Sequence, residues 1–372
     1  MQPVDPFMYA LLGLVLLFVP ITGVLMAATP YLMPKRECFA VTIPDAASSD
    51  LGIRQIKRSF ATIVAVAALV LTAICAACLF ANPEHAFLIA LVISELVLCF
   101  GSYGLMLYFR QKTIALKQAR GWKAQSAKRT GFVAEDTAPR PISQKWDLLF
   151  LVPIVLTGLV CVVGYPLMPE RIATNIDLSG QVSHWMEKAP LTAAFPLLTV
   201  VFLDACFAFS HWSILRSKKG VDAARPAASA WAYGAFARAQ SILLVGLGTM
   251  LSFLGPIIAL AFMGVITIVQ ALIPILVMLV VVLVTVIAVT MVYGQNGARL
   301  LRRMEEPDSM PVDDDRYWKL GIFYWNRDDA SLFVPERFGV GWIMNLGRPA
   351  AWVIIVSFAV VIAALIAFTV CM

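Results

Sequence analysis

Residues 148–168 read LLFLVPIVLTGLVCVVGYPLM, and residues 169–188 read PERIATNIDLSGQVSHWMEK. The first block carries no charge; Pro153 interrupts it near its start and Pro166 lies near its end. A helix of about 20 apolar residues crosses roughly 30 Å of hydrocarbon. The second block is polar and holds charges of both signs. An apolar run followed by a polar segment is how a membrane helix ends in water, and the alternation recurs along the whole chain.

The 372 residues are 60% hydrophobic and 14% charged, with mean hydropathy +0.82. Soluble domains carry about 25% charged residues. A β-barrel would need alternating segments of about 10 residues, and these runs do not alternate. The apolar blocks predict about eight spans, near 7–28, 60–81, 87–109, 148–168, 191–215, 237–262, 268–293 and 350–370. The fold class is therefore an all-α polytopic membrane protein. A membrane domain covers 1–312 plus the last span, and a small cytoplasmic β-hairpin module covers 313–348. The first run follows Asp5 instead of a basic region, so it reads as a true span, not a cleaved signal. The sixth and seventh spans share one uncharged block, whose turn falls either near Gly255-Pro256 or near Gly264.

Charge sets the orientation. Segments 34–59, 110–146, 216–238 and 294–349 hold 5, 9, 5 and 8 Lys or Arg, which is 27 of 29. With eight spans all four lie on one side, and basic loops mark the cytoplasm. Both termini are then outside, and 169–189 is the one sizeable external piece. The net charge of +6 sits beside the apolar runs, which argues against a nucleic-acid partner and for the lipid bilayer. None of the seven cysteines lies in an external loop long enough to pair, so no structural disulfide is expected. Cys75 and Cys78 form a C-x-x-C inside an apolar helix, where packing of small residues competes with redox or metal chemistry.

Gly246, Gly248, Ser252 and Gly255 could allow close helix approach, and Pro153, Pro196 and Pro274 lie inside spans. Leu32-Met33-Pro34-Lys35-Arg36 follows the first span, and Leu167-Met168-Pro169-Glu170-Arg171 follows the fourth. In this topology they lie on opposite faces. An inverted repeat is one reading; a Pro and a charge ending a span is the other, and the loop lengths differ.

Ionisable groups inside spans are costly, about 2.5–3.5 kcal/mol at the centre on insertion scales. Four stand out: Glu95, Asp204, His211 and Arg238. Arg238 and His211 lie near cytoplasmic ends. Asp204 and His211 are seven residues apart and share a helix face. These groups form either a proton- or ion-coupled site or buried hydrogen-bonded links between helices. In the external segment Asn175, Asp177, His184, Trp185, Glu187 and Lys188 offer contacts to an extracellular peptide, with a plain structured connector as the competing reading. No H-E-x-x-H, G-x-S-x-G or phosphate-binding glycine loop is present. The expectation is a protein without catalytic residues, metal or cofactor.

Arg110 to Lys145 reads as a helical extension that becomes a basic loop, able to touch anionic lipid. Asp313-Asp314-Asp315 and Asp328-Asp329 lack EF-hand spacing and read as solvated acids. From Arg316 to Asn345 two β-rich stretches flank a turn at Arg327-Asp328-Asp329-Ala330, predicting one hairpin that carries Trp318, Tyr324, Trp325, Arg337 and Trp342. It is amphipathic enough to lie on the membrane face and to meet a cytoplasmic protein. Cys38 to Pro44 is a short strand candidate that could join it in one small sheet.

The segment Tyr165-Pro166-Leu167-Met168-Pro169-Glu170-Arg171, followed by Asn175, Asp177, Gly180, Trp185 and Lys188, resembles a domain of unknown function in bacterial membrane proteins. That domain recurs in SdpI-like proteins, which serve immunity and signalling for a secreted toxin. The family pattern is a span, then Leu-Pro-x-x-Ile/Val-Pro-x-His, then Gly and Trp/Lys; this chain has Asn175 near where the family often has His. The tail from Asp315-Arg316-Tyr317-Trp318-Lys319 through Val334-Pro335-Glu336-Arg337-Phe338-Gly339-Val340-Gly341-Trp342 to Asn345 resembles a second uncharacterised domain, found beside the first in Gram-positive bacteria. The resemblance implies a bacterial plasma-membrane protein, with immunity to a toxic peptide or a response to envelope stress as its role. A small transporter using Glu95 and Asp204 is the alternative.

Overall fold

The computed structural model describes residues 6–44, 46–83, 85–123, 138–176, 182–219, 226–301, 313–339 and 341–371. Asp177, the stretch 124–137 of the basic loop and the junction at 302–312 lie outside the described residues.

Seven helical stretches are long and apolar enough to cross a membrane. The first joins α1 (Pro6–Leu16) and α2 (Phe18–Leu32), which break only at Leu17. Then come α3 (Leu51–Ala81) and α4 (Ala86–Ala119). A 3-10 turn at Gln144–Phe150 leads into α5 (Leu151–Gly164), followed by α6 (Pro190–Arg216). The sixth stretch joins α7 (Pro226–Ser252) and α8 (Leu254–Phe262). The seventh begins with α9 (Ile268–Tyr293) and runs into the short α10 (Ala298–Leu301). A further helix, α11 (Pro349–Cys371), has 23 residues and no charged side chain. Val162, Val163 and Phe80 are 75%, 69% and 80% exposed. That would be a liability in water and is ordinary beside lipid.

The helices begin earlier than the apolar blocks do. Asp50 caps α3 by accepting from Gly52 N at 2.7 Å, nine residues before the expected start of the second span. Helix geometry continues into the polar zone because a cap, not hydropathy, ends it. The turn between the sixth and seventh spans lies near Gly264, which takes φ +72°. Pro256 is buried inside α8. Thr267 then caps α9: its hydroxyl accepts from Gln270 N, and Gln270 Oε1 accepts from Thr267 N at 2.9 Å.

The helices form two groups. Helices α1–α4 pack on one another, as do α5–α9. At one end of the first group Phe39, Phe60 and Phe109 stack with centroids 5.1–6.1 Å apart. Phe39 comes from a tight turn between β1 (Glu37–Cys38) and β2 (Val41–Thr42). Phe39 and Ala40 take φ 49° and 57°, the twist a two-residue hairpin needs, without the Asn or Gly that usually signals it. In the second group, β3 (Arg171–Ile176) and β4 (Val182–Glu187) form an antiparallel hairpin after α5. Leu-Met-Pro-x-Arg thus leads into a hairpin and then two helices in both groups.

The tail differs from the expected single hairpin. It holds two: β5 (Trp318–Lys319) with β6 (Phe323–Tyr324), and β7 (Phe333–Pro335) with β8 (Trp342–Met344). Leu320 and Gly321, at φ 51° and 76°, fold the first stretch back on itself. A leucine in the left-handed region carries no sequence signal for a turn. The turn at Arg327–Ala330 exists but links the hairpins: Asn326 Oδ1 accepts from Asp328 N and Asp329 Oδ1 from Ser331 N, each at 3.0 Å. One bridge, Tyr324 to Asn345, ties them together. The β1–β2 pair stays a sheet of its own among the described strands and meets the tail through side chains.

Gly297 takes φ +79°, and a Cβ there would lie 2.4 Å from Ala232 O. Gly297→Ala therefore costs about 1–3 kcal/mol and lowers the thermal midpoint of the detergent-solubilised protein. Gly246→Ala, where a Cβ meets nothing within 4 Å, leaves the midpoint unchanged or slightly raised.

Candidate functional site

The described structure gathers its densest buried charge around Arg337, where the tail meets the first helix group. Arg337 is 6% exposed. Its Nη1 donates to Asp315 Oδ1 at 2.6 Å and to Ala40 O at 3.2 Å. Its Nη2 donates to Thr42 Oγ1 at 3.1 Å and to Asp314. Glu37 lies 3.7 Å from Nε, and the guanidinium stacks over Trp318 at 5.1 Å. Asp315 also accepts from Thr42 Oγ1 at 2.7 Å and from Lys117 Nζ at 2.7 Å. Lys117 reaches Asp313 at 2.6 Å as well. Arg110 donates to Ala40 O and, at 3.3 Å, to Trp318 O. The carbonyls of the strained Phe39-Ala40 turn are therefore held by cations from α4 and from the tail.

The electrostatics separate these acids. Burial alone would raise Asp315, but Arg337 and Lys117 outweigh it and hold the carboxyl down at about 2. Glu37 goes the other way: burial, with Asp314 and Asp315 adding, overcomes Arg337 and raises it to about 7. Arg337 is held above its ordinary value by Asp314, Glu37 and Asp315, against the effect of burial. Arg337, Arg110 and Lys117 thus face Asp313, Asp314 and Asp315, with Glu37 as the group that changes charge near neutrality. The reading of Asp313–Asp315 as a solvated run is corrected: its cations come from Lys117 and Arg337, which local sequence does not reveal.

The other side of the tail grips the second helix group. Asp329 meets Lys218 at 2.6 Å and accepts from Tyr324 Oη at 2.9 Å. Its carboxyl falls below the usual range because Lys218 and Ser331 outweigh burial. Asn345 is fully buried; its Oδ1 accepts from Asn326 N and Gly347 N, and its Nδ2 donates to Asn326 O. Trp342 Nε1 donates to Tyr233 Oη at 2.8 Å. Gln295 and Asn296 donate to Glu336 O at 2.6 and 3.2 Å. The tail is a bridge between the two groups, built from chain positions up to 297 residues apart.

The intramembrane residues do not converge. Glu95 lies half-buried on α4 in the first group. Its Oε1 is enclosed without a hydrogen-bond partner among the described residues. Asp204 lies on α6 in the second group, 4% exposed, and accepts from Ser252 of α7. His211, two turns along α6, is fully buried; its Nδ1 lies 2.6 Å from Asp147 Oδ1 and its Nε2 3.1 Å from Ile142 O. Both ring nitrogens face oxygen, so the imidazole is fixed in orientation from both sides. Arg238 is exposed on α7 and joins none of these contacts.

In the 169–188 segment Trp185 is 51% exposed and His184 and Glu187 are exposed. Asn175 pairs with His184 across the hairpin. Lys188 folds inward: its Nζ donates to Met168 O at 2.8 Å and sits 5.3 Å from the Tyr165 ring. Ile172 and Met168 bury beside Phe262 and Ala193, which anchors the hairpin. Of the tail residues, Trp318, Tyr324 and Arg337 are buried within the bridge and Trp325 is 39% exposed. Sequence reasoning missed Glu37, Thr42, Arg110, Lys117, Asp147 and Asn345. The one available signal is a Thr-Ile-Pro and a lone Glu beside a span, which is too common to use.

Residues 143–200 match a domain of unknown function, DUF1648, and residues 327–352 match a family of unknown function, DUF5808. The first match runs from the cap of the 3-10 turn through the β3–β4 hairpin into α6. The second holds most of the tail's buried polar side chains. No curated protein and no solved structure matches the chain.

Arg337→Met leaves three carboxylates facing each other with one cation removed. Losing one partner of a buried pair costs about 3–5 kcal/mol. Amide exchange of residues 313–345 in the full-length protein rises at least tenfold, and Arg337→Lys recovers part of the protection. An acid whose folded pKa is raised stabilises the folded form at low pH and loses that stabilisation as pH rises through the folded value. Tail protection, corrected for intrinsic exchange, therefore falls between about pH 5 and pH 8 as Glu37 ionises, helped by Glu336, which burial also raises to about 7. Glu37→Gln with Glu336→Gln flattens that fall. Asp315, depressed to about 2, keeps its contribution until the pH drops below about 4.

Proposed function

We propose that this is a non-enzymatic, SdpI-like protein of the bacterial plasma membrane that meets a toxic peptide or envelope signal at the β3–β4 hairpin. The domain matched at 143–200 occurs in SdpI-like membrane proteins and contains this hairpin. The observation that carries the reading is the hairpin's form. It is a ready-made two-stranded sheet, anchored by Ile172 and carrying exposed His184 and Trp185. β3 packs against α8 and α9, and among the described strands β4 pairs with β3 alone. A strand edge with unpaired N–H and C=O groups accepts an extended peptide as a third strand. Trp185 would supply the aromatic contact.

The tail buries Trp318 and Tyr324 within itself and uses Arg337 on its own aspartates and on the β1–β2 hairpin. That supports a role in coupling the two helix groups more than in capturing a cytoplasmic protein. Transport through Glu95 and Asp204 would need one shared cavity, and their separate helix groups lend it no support.

A strain lacking the protein, challenged with a panel of membrane-active peptides, shows several-fold lower inhibitory concentrations for at least one of them. Wild-type protein restores resistance; Trp185→Ala at equal membrane abundance does not. Unchanged sensitivity to the whole panel would sink the reading.

A further inference from the structure

The Leu320–Gly321 turn lies deeper than the rest of the tail. Tyr103 on α4 donates to Leu320 O at 3.3 Å. A Cβ on Gly321 would lie 3.4 Å from Arg110 Cδ and 3.5 Å from Met106 Cε. Tyr103 precedes Arg110 by seven positions, about 10 Å along a helix axis. Arg110 is the first basic residue of α4. The turn therefore rests against the apolar side of that first cation, within the stretch of α4 that faces lipid.

At that depth the turn shows apolar side chains. Leu320 is 58% exposed and Phe323 40%, while Ile322 packs inward on the Phe39–Phe60–Phe109 cluster. Leu320 holds φ 51°, a conformation that Asn or Gly adopts at less cost. A turn in water has no use for a leucine there. Basic and aromatic side chains edge the same hairpin. The Arg316 guanidinium stacks on Tyr317 at 4.5 Å, and Lys319 is exposed. A groove of about 790 Å³ opens beside them, lined in part by Lys117, Trp122, Lys123, Arg316, Asp313 and Asp315. The two acids are already matched by Lys117 and Arg337, so Lys123 and Arg316 leave this edge positive.

We propose that the β5–β6 turn is a membrane wedge. Leu320 and Phe323 enter the boundary between headgroups and acyl chains. Lys319 beside them, with Arg316 and Lys123 across the groove, meets the phosphates of anionic phospholipid. Lipid is the occupant because the exposed tip is continuous with the lipid-facing surface of α4, and because aromatics and cations at that level are how proteins meet headgroups.

The test uses the full-length protein in vesicles of phosphatidylcholine with and without phosphatidylglycerol. Leu320→Cys and, as a water-side reference, Arg327→Cys are spin-labelled, and the signal of the native cysteines is subtracted. The Leu320→Cys label is reached by oxygen and shielded from a water-soluble nickel chelate; the Arg327→Cys label is open to the chelate. Equal chelate access at both sites overturns the wedge. Dipolar broadening between labels at Leu320→Cys overturns it too, in favour of a second copy of the chain. Leu320→Asn keeps the turn geometry and reports on lipid without a label: it folds as well as wild type and retains several-fold less phosphatidylglycerol through purification. Arg316→Glu with Lys123→Glu loses the same preference. Displacement of the bound lipid by excess inorganic phosphate would overturn the lipid assignment in favour of a free anion site.

Discussion

Arg337 is a cation removed from water, and such a charge is tolerated only when carboxylates and carbonyls replace its hydration. Here they come from two distant parts of the chain: Asp314 and Asp315 in the tail, and Glu37, Thr42 and the carbonyl of Ala40 in the β1–β2 hairpin. The guanidinium suits the task because its five donors lie in one plane and its charge is permanent. Around it the Phe39-Ala40 turn stays in the left-handed region, its carbonyls aimed at Arg110 and Arg337. Strained backbone of this kind persists where its surroundings over-determine it.

The need for such a clamp follows from the solvent. Inside a bilayer no hydrophobic force pulls one apolar helix group onto another, because lipid tails are as apolar as the side chains. The two groups have their own packed clusters, Phe39–Phe60–Phe109 with its neighbours in one and Met168–Ile172–Phe262 in the other. The tail ties both at the polar end, where electrostatics is available. Arg337 and Asp315 face the first group, and Asp329, Trp342 and Glu336 O face the second. Asn345 holds the two halves of the tail in register, with both ends of its amide bonded to backbone. A side chain with that many bonds leaves little room for the hairpins to shift independently.

The membrane acids follow a different logic. Asp204 is bonded to Ser252, and His211 is bonded to Asp147 and to Ile142 O. Each joins α6 to a neighbour: α7 through Ser252, and the segment before α5 through Asp147. These bonds act as links between helices, since a polar group in hydrocarbon must find a partner. Glu95 sits in the other group, beside the Cys75–Ser94 contact, and shares no element with them.

Much of the architecture was legible in residue order. Runs of apolar residues place the helices because the length that spans hydrocarbon is set by geometry alone. The distribution of Lys and Arg orders the loops, and the turn-forming Arg327–Ala330 was visible where it lies. What the order of residues could not show is which charges find each other. The aspartates at 313–315 look solvated until Lys117 and Arg337 are brought to them, and Glu37 looks like any residue after a span. Leu320 and Phe39 occupy left-handed turns that no local signal marks, so one long hairpin became two and a strand became a turn. Hydropathy and spacing are properties of the chain, and sequence alone determined them. The pairing of a tail guanidinium with Glu37 and the Ala40 carbonyl, about three hundred residues away, was decided only by the tertiary structure, because a buried charge is stable only beside its partner in space.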